Sequence, residues 1–359
     1  MAPARGSGYR AGVITSVALE GFRGVREGGV EGLAPISILV GPNNQSKSTV
    51  LEAIATVGYG KRADEVVKLL LRRGGPPLVA LEHVVTWGAT KARLMVKQAG
   101  GGNASLHTTE LVTPVRVPAL RQAAIDAGLA EPLTGLQVGN MVVWVDAAGK
   151  LSSLFTYNSS PVPLRGEDLA TSFQVRFVDV ETVRGSGALE DAYSDIERAG
   201  KVDTVVRALQ RSMAGLRDLR ILKTHDRFIL HAFYEATRQP VPAFVAGDGF
   251  KRFLEVAAAT VGTSKGVVLL EEPESFQHPR YLQELATLLH LAAREGTQII
   301  LSTHSLELCD LLLLAPEAEG QTYPAVHRMR IIDGKLRATT IPRENAVRGR
   351  EDLLEDLRA

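Results

Sequence analysis

The chain has 359 residues, 45% hydrophobic and 23% charged, which is enough for one large or two ordinary globular domains and excludes a mini-protein or a disordered chain. Lysine and arginine (41) nearly balance aspartate and glutamate (40), so the overall basic excess of an obligate nucleic-acid binder is missing, although a local basic face stays open. Cys309 is the single cysteine, which excludes an intramolecular disulfide. No apolar run reaches the ~18 residues of a membrane span, and the start of the sequence has no apolar signal core. These features favour a cytoplasmic protein.

The first half of the chain predicts a strand, a loop and a helix, followed by antiparallel strands. Residues 12–20 and 36–40 have the alternation and the apolar run of strands, and residues 48–57 have helical composition. Three further stretches, PLVALEHVV, ARLMVKQ and ASLHTTELVTPV, are separated by turn-like residues and indicate an antiparallel lobe. The remaining elements predicted up to residue 214 are a helix over 118–128, a hairpin of 141–145 with 151–157, a strand over 173–180, and helices over 188–199 and 202–214.

The last third alternates apolar strands with helices, which is typical of a parallel sheet covered on both faces. Its predicted elements are strands at 219–224 and 227–234, a helix at 250–261, a strand before the acids of VVLLEEPES, a helix at 281–294, the strand QIILST, a helix from 306, and strands near MRIID and LRATTI. The charged stretch from residue 344 predicts a solvated terminal helix rather than a binding element. We divide the chain into an N-terminal lobe (1–184), a helical insertion (185–216), a C-terminal lobe (217–345) and a charged tail (346–359).

The segment GPNNQSKST, residues 41–49, lies directly between a predicted strand and a predicted helix. A phosphate-binding loop needs this position, because its backbone amides and the helix N-terminus converge on phosphate oxygens. Lys47 would neutralise phosphate charge and Ser48 would ligate Mg²⁺. Ser46 departs from the pattern G-x-x-x-x-G-K-[ST], which has glycine there, so we expect weaker nucleotide affinity or turnover.

The segment VVLLEEPES places two adjacent carboxylates at the end of an apolar strand, where ligands bind in open sheets. Glu271 is expected to hold the Mg²⁺ shell, and Glu272 to orient and deprotonate the attacking water. Glutamate at 271 is one methylene longer than the usual aspartate, so its contact with the metal could run through a water.

Two further segments complete the set of candidate site residues. The strand QIILSTHS ends in a polar turn with His304, which is placed to contact the γ-phosphate. Gly247, Asp248 and Gly249 open the predicted helix at 250–261. A helix opened by glycines is either an anion site or a plain capped helix, and the local sequence does not decide between them.

In this order, the four elements resemble the ATP-binding-cassette (ABC) ATPase superfamily, and most closely its AAA-21/AAA-15 type, which is OLD-like and related to SMC and RecF proteins. The resemblance rests on ITSVALEGFRGV, ISILVGPNNQSKSTVLEAI, VAGDGFKRFLEVAAA, LLEEPESFQHP and ILSTHS, and the residues between 60 and 216 carry no matching motif. It implies an α/β fold: a P-loop NTPase with an ABC-type ATPase head, a mixed central sheet flanked by helices, an antiparallel β lobe and a short helical insertion.

The resemblance also implies roles for individual residues. The nucleotide loop would comprise Gly41, Asn44, Ser46, Lys47, Ser48 and Thr49. Glu271 would be the metal-side acid, Glu272 the catalytic base and His304 the switch histidine. Gly247, Asp248 and Gly249 would contact the γ-phosphate bound by the opposite subunit, which implies a head-to-tail homodimer with two ATP molecules at its interface. Gln98 and Gln174 are the candidates for the family's Q-loop glutamine.

Only 55 residues follow His304, so a fused Toprim nuclease is not expected, and no heptad pattern long enough for a coiled coil is present. The leading hypothesis is therefore a stand-alone, Mg²⁺-dependent ATPase whose ATP-driven dimerisation regulates a separately encoded effector in bacterial antiphage defence. A nucleic-acid partner and a higher oligomer stay open, and no membrane partner is expected.

Two alternatives remain. A RecF-like DNA-repair clamp shares the superfamily, but the balanced charge and the segments THS and EPESFQHP favour the defence-associated group. A nucleotide-sensing scaffold that binds ATP and barely hydrolyses it is motivated by Ser46 and Glu271, because both depart from the usual pattern at the phosphate and the metal.

Overall fold

The computed structural model of the protein describes most of the chain. The described residues are 12–60, 62–73, 80, 83–86, 88–100, 103–112, 132–138, 141–146, 151–157, 160–163, 173–179, 188–237, 239–315 and 324–358.

Five parallel strands form the centre of the fold. In spatial order they are β10 (Val175–Val178), β14 (Val267–Glu271), β15 (Gln298–Ser302), β3 (Ile36–Val40) and β16 (Ala325–Ile332). Every residue of β3 and β15 is buried, as expected for strands that are covered on both faces. Because the strands are parallel, the loops that follow β3, β14 and β15 meet at one edge of the sheet.

Antiparallel strands extend this sheet to fourteen strands within the described part of the chain. Beyond β16 the order is β17 (Lys335–Ile341), β2 (Val25–Glu31), β1 (Val13–Phe22), β4 (Lys91–Gly100), β5 (Asn103–Val112), β6 (Pro132–Val138), β7 (Met141–Asp146), β8 (Leu151–Tyr157) and β9 (Ser160–Pro163). Only β17 and β2 pair in parallel in this extension. A second sheet contains β11 (Leu216–Thr224), β12 (Arg227–Tyr234) and β13 (Val241–Pro242), which precedes a short 3-10 helix, Ala243–Val245.

Helices cover both faces of the parallel strands. One face packs against α1 (Lys47–Tyr59) and α2 (Ala63–Leu71). The other packs against α3 (Ala188–Arg198), α4 (Val202–Ser212), α5 (Asp248–Gly262), α6 (Pro279–Arg294), α7 (Leu306–Leu313) and α8 (Arg343–Leu353). Strand β14 shows how both cores form, since Val267 and Leu269 join the first and Val268 and Leu270 the second.

Most predicted elements are confirmed, including the parallel sheet and the β7–β8 hairpin. The prediction of a strand over 77–85 is wrong where the structure describes that range. Its described residues form no strand, and Val85 makes one isolated bridge to Phe22. An apolar run can be buried by contact with a sheet without pairing along its length. The helix expected over 118–128 lies outside the described residues. Within the described ranges, no helix is both long enough and apolar enough to cross a membrane.

Candidate nucleotide site

A cavity of about 570 Å³ lies at the carboxyl edge of the parallel strands. The loop between β3 and α1 forms its floor, and residues after β14 and β15 close one side. It is lined by Arg23, Gly24, Asn43, Asn44, Gln45, Ser46, Lys47, Ser48, Thr49, Arg73, Glu272, His304 and Ile331. Three segments that the sequence places far apart therefore meet at a single concave site.

The loop that starts at Gly41 has an unusual backbone. Gly41 has φ 141°, and a Cβ there would lie 2.6 Å from the carbonyl oxygen of Met329. Asn44 (φ 61°) and Ser46 (φ 63°) are both left-handed. Ser46 caps α1, yet its side chain makes no capping hydrogen bond. The nucleotide-loop pattern has glycine at this position. The serine here adopts a left-handed conformation that costs a non-glycine residue roughly 1–2 kcal/mol.

Lys47 is the first residue of α1 and is 6% exposed. Its Nζ donates hydrogen bonds to the carbonyl oxygens of Gly41 (2.8 Å) and Pro42 (2.9 Å). Burial lowers the pKa of Lys47, while the charges of Glu272 and Glu274 act in the opposite direction. A partly desolvated ammonium beside a helix N-terminus is suited to binding an anion.

Glu272 and His304 lie next to each other in the cavity lining. His304 Nε2 lies 3.8 Å from Glu272 Oε1, and both side chains are partly exposed. Glu272 has φ 45°, and its backbone N–H donates to the Ser302 carbonyl at 3.0 Å, which fixes the turn after β14. Burial, followed by the charge of Lys47, lowers the pKa of His304, so the neutral imidazole is favoured at pH 7.

Glu271 is held away from this arrangement. Its carboxylate lies 2.6 Å from Arg72 Nη1, and the same guanidinium nitrogen lies 2.8 Å from Asp179. Arg252 Nη2 donates to the backbone carbonyl of Glu271 at 2.7 Å. Glu271 is absent from the cavity lining, so the two adjacent acids have different surroundings: Glu272 lines the cavity and Glu271 is ion-paired with Arg72.

Two arginines of the cavity are not among the candidate site residues predicted from the sequence. Arg23, in the turn between β1 and β2, and Arg73, after α2, both line the cavity. Glu52 is fully buried in α1 and lies 2.5 Å from Arg23 and 2.8 Å from Arg73, so one carboxylate anchors both. The sequence offered a signal for each, the GFRGV turn and the Arg-Arg pair after a helix, but neither specifies a cavity.

The glycine-opened helix is confirmed as α5, which begins at Asp248 with Gly247 as its N-cap. A Cβ on Gly249 would lie 2.6 Å from the Phe276 carbonyl oxygen, so glycine permits close packing against the loop after β14. Gly247, Asp248 and Gly249 do not line the cavity of their own chain. Near them, Phe244, Val245 and Phe276 are 54%, 60% and 59% exposed.

Neither Q-loop candidate lies at the cavity. Gln98 is in β4 and donates to the Gly12 carbonyl, and Gln174 precedes β10, where its carbonyl accepts from Val267. Gln174 is thus at the amino end of its strand, opposite the edge that carries the site. Asp179 occupies the carboxyl end of β10.

Comparison with known proteins gives a family. A family model described as "AAA domain, putative AbiEii toxin, Type IV TA system" matches residues 164–310. The uncharacterized protein MJECL11 of Methanocaldococcus jannaschii is 34% identical over 114 residues, which is 31% of this chain and 98% of that protein. The chain belongs to the AAA-21 family of ABC-type ATPases. A second uncharacterized protein of the same organism, MJECL10, is 22% identical over 224 residues, or 61% of this chain and 95% of that protein.

Solved structures with the same fold include heads of SMC proteins. An SMC head bound to the C-winged helix domain of ScpA has a TM-score of 0.53 at 14% identity, covering 93% of this chain and 99% of that one. An SMC head with an extended coiled coil, bound to the C-terminal domain of ScpA derived from Pyrococcus furiosus, has a TM-score of 0.53 at 12% identity, with coverages of 96% and 100%. At these identities the likeness establishes the fold, an SMC-head P-loop ATPase fold.

Proposed function

We propose that the protein binds ATP with Mg²⁺ and hydrolyses it to ADP and phosphate. The observation that carries this proposal is the cavity that joins the loop around Lys47, the acid Glu272 and His304. A lysine in a phosphate-type loop, a carboxylate and a histidine from two neighbouring strand ends are the groups that phosphoryl transfer to water requires. Membership in an ABC-type ATPase family supports the same chemistry.

The residues of the cavity fit a nucleotide better than they fit the complete expected metal site. Among the residues that the structure describes, Lys47 Nζ bonds only to carbonyl oxygens of its own loop, and Arg23 and Arg73 add positive charge. Ser48 lines the cavity and would hold Mg²⁺, whereas the carboxylate of Glu271 is paired with Arg72. The described residues contain no cluster of three or more His, Cys, Asp or Glu that would bind a metal alone. Bound with ATP, Mg²⁺ would neutralise phosphate charge.

Glu272 is the residue we assign as general base. Its carboxylate lines the cavity, is partly exposed and is not ion-paired with any arginine of the described ranges, so it can accept a proton from water. His304, with its neutral imidazole favoured, would donate or accept a hydrogen bond near the terminal phosphate. Lys47, Arg23 and Arg73 would stabilise negative charge on the phosphate oxygens.

We further propose that ATP joins two copies of the chain head to tail. Three exposed apolar side chains, Phe244, Val245 and Phe276, lie around the N-terminus of α5, outside the cavity of their own chain. A partner's ATP would place phosphate at this helix N-terminus, where Gly247 and Gly249 allow close backbone approach, and the apolar side chains would be buried.

The biological role that we propose is regulation of a separately encoded effector in antiphage defence, with the dimer as the active state. The description of the matching family model, which names a toxin–antitoxin system, supports this assignment. ScpA bound to the related SMC heads gives a precedent for partner binding by this fold.

Glu272→Gln tests the proposal. An amide cannot accept the proton from water, so we expect phosphate release to fall at least a hundredfold, roughly the contribution of a general base, while ATP binding is retained. Light scattering of the variant with ATP and Mg²⁺ should show a stable doubling of mass, whereas the unsubstituted protein returns to monomer as ATP is consumed.

Glu351→Gln, an exposed glutamate on α8, is the matched control and should leave turnover and mass unchanged. Turnover of Glu272→Gln equal to that of the unsubstituted protein would remove Glu272 as the base. A mass that is constant with and without ATP, for both proteins, would contradict ATP-driven dimerisation.

One second candidate has specific support, a sensing scaffold that binds ATP and barely hydrolyses it. Ser46 in a left-handed conformation and the pairing of Glu271 with Arg72 both favour slow chemistry. ATP retained through purification in about stoichiometric amount, with no multiple turnover, would favour the scaffold over the ATPase.

A further inference from the structure

The segment Leu354–Arg358, here called the return segment, packs back onto the protein after α8. Leu354 has φ 50°, and the Glu355 N–H donates to the Gly349 carbonyl at 2.9 Å, which reverses the chain. Leu357 is 1% exposed and belongs to the hydrophobic core. The solvated terminal helix expected from the charge pattern is therefore confirmed for α8 but wrong for the residues after it.

Arginines from two elements fix the return segment. Arg328 on β16 donates to the Leu357 carbonyl at 3.0 Å and to the Glu355 carboxylate at 2.7 Å. Arg350 on α8 donates to the Glu355 carbonyl at 2.8 Å and makes a bidentate pair with Asp310 on α7. Charge-assisted bonds of this kind hold a backbone in one position.

The end of the return segment contacts the turn after β15 that carries His304. Asp356 accepts two hydrogen bonds at 2.8 Å from the Arg358 guanidinium, which orients it. Arg358 Nη1 then donates to the backbone carbonyl of His304 at 2.8 Å. This contact joins residues that are 54 positions apart in the sequence.

The other side of the same turn is held by Glu274. Its Oε1 accepts from the His304 N–H at 2.8 Å and from the Thr303 hydroxyl at 2.7 Å. The backbone N–H and carbonyl of His304 are thus both bonded to charged side chains, one from the loop after β14 and one from the return segment. The imidazole that this backbone carries lies 3.8 Å from Glu272.

We propose that Arg358 and Glu274 are positioning residues that together fix the His304 ring in the cavity, so that the return segment is part of the hydrolytic machinery. Arg358 acts through the His304 carbonyl and touches no reacting atom. The consequence for turnover rests on the function proposed above, while the effect on the His304 backbone does not.

The test compares Arg358→Ala with Arg348→Ala, an arginine on α8 whose side chain is 81% exposed. Hydrogen exchange of the nucleotide-free full chain reports on the backbone directly. We expect the amides of His304 and Ser305 to exchange at least fivefold faster in Arg358→Ala only. The Thr303 amide, bonded to the Leu39 carbonyl in the sheet, should be unchanged and reports that the core is intact.

Steady-state kinetics give the second measurement. We expect kcat of Arg358→Ala to fall about tenfold with the KM for ATP within about twofold, because misplacement of a group in the cavity affects the reaction more than substrate binding. Arg358→Lys, which keeps a donor, should recover part of kcat.

Unchanged exchange at His304 in Arg358→Ala would overturn the proposal, as would equal kinetic losses in Arg358→Ala and Arg348→Ala. If Arg358→Ala does not fold, Arg358→Met takes its place, because methionine keeps an unbranched side chain and has no donor; His304 exchange and kcat of Arg358→Met indistinguishable from the unsubstituted protein would then overturn the proposal. Absence of ATPase activity in the unsubstituted protein would instead contradict the proposed function and leave the exchange result decisive for the contact.

Discussion

At the scale of single residues, part of the backbone strain of the protein lies at the cavity. Asn44, Ser46 and Glu272 all have positive φ, and all three contribute to the site. Such conformations persist where the surrounding structure overrides local preference, which is common at ligand-binding sites. Ser46 is the most informative of the three, because its side chain makes no capping bond that would offset the strain.

Replacement of Ser46 by glycine should relieve this strain. We expect Ser46→Gly to increase the free energy of unfolding by about 0.5–1 kcal/mol and to raise ATP affinity. The gain is smaller than the relieved strain, because glycine also increases the conformational entropy of the unfolded chain. Urea unfolding and nucleotide titration measure the two effects. Ser46→Ala, which keeps the Cβ and removes only the unbonded hydroxyl, is the control and should match the unsubstituted protein; an equal gain in both variants would show that backbone strain is not the cause.

At the scale of elements, the N-terminus of α5 and the loop after β14 are packed as one unit. Gln277 donates to the Gly249 carbonyl at 3.2 Å, and the Gly249 Cα lies against the Phe276 carbonyl. The same loop begins with Glu272, which lies beside His304, and also carries Glu274, whose carboxylate accepts a hydrogen bond from the His304 N–H. Direct contacts therefore connect the α5 N-terminus with the loop that carries Glu272.

Two glycines of this helix start allow a matched test. A methyl group on Gly249 would meet the Phe276 carbonyl oxygen at 2.6 Å, whereas one on Gly247 would have no atom of the described residues within 4 Å. We expect Gly249→Ala to lower the free energy of unfolding of the nucleotide-free protein by about 1–3 kcal/mol, the usual cost of overpacking. Gly247→Ala should change it by less than about 0.5 kcal/mol. Equal thermal unfolding of the two variants would contradict the close packing.

At the scale of the whole molecule, a buried ionic network joins the two faces of the parallel sheet. Glu52 on α1 lies 2.9 Å from Arg72, which in turn pairs with Glu271. On the other face, Arg252 of α5 is fully buried, bonds to the Glu271 carbonyl and lies 3.5 Å from Glu255. Loss of one member would leave a buried charge without a partner, which is more costly than the pair is stabilising.

Glu255 gives this network a pH dependence. Burial raises the pKa of its carboxyl from 4.5 to about 7, although Arg252 opposes the shift. Between these values the folded protein binds more protons than the unfolded chain, so the free energy of unfolding contributed by this group decreases as the pH rises from 4.5 to about 7. Glu255→Gln, which cannot ionise, should flatten this decrease.

Urea unfolding at about pH 5 and about pH 8 measures the effect. Glu197→Gln, an exposed glutamate on α3, is the control and should retain the slope of the unsubstituted protein. A slope in Glu255→Gln as steep as in the unsubstituted protein would assign the pH dependence to another group.

The sequence by itself determined the parallel sheet, the phosphate-type loop, the acid pair and the histidine turn, because each is a local pattern: an apolar run followed at once by polar residues. It also singled out Ser46, since the departure from glycine is visible in the letters. Tertiary structure alone decided the surroundings of these residues. Only the fold brings Arg72 to Glu271 and Arg358 to His304, and only the fold places Arg23 and Arg73 at the cavity. In each case the segments that meet are distant in the chain. The charge of a side chain is local, but the partner that it meets is chosen by how the helices and strands pack, and no spacing in the sequence encodes that choice.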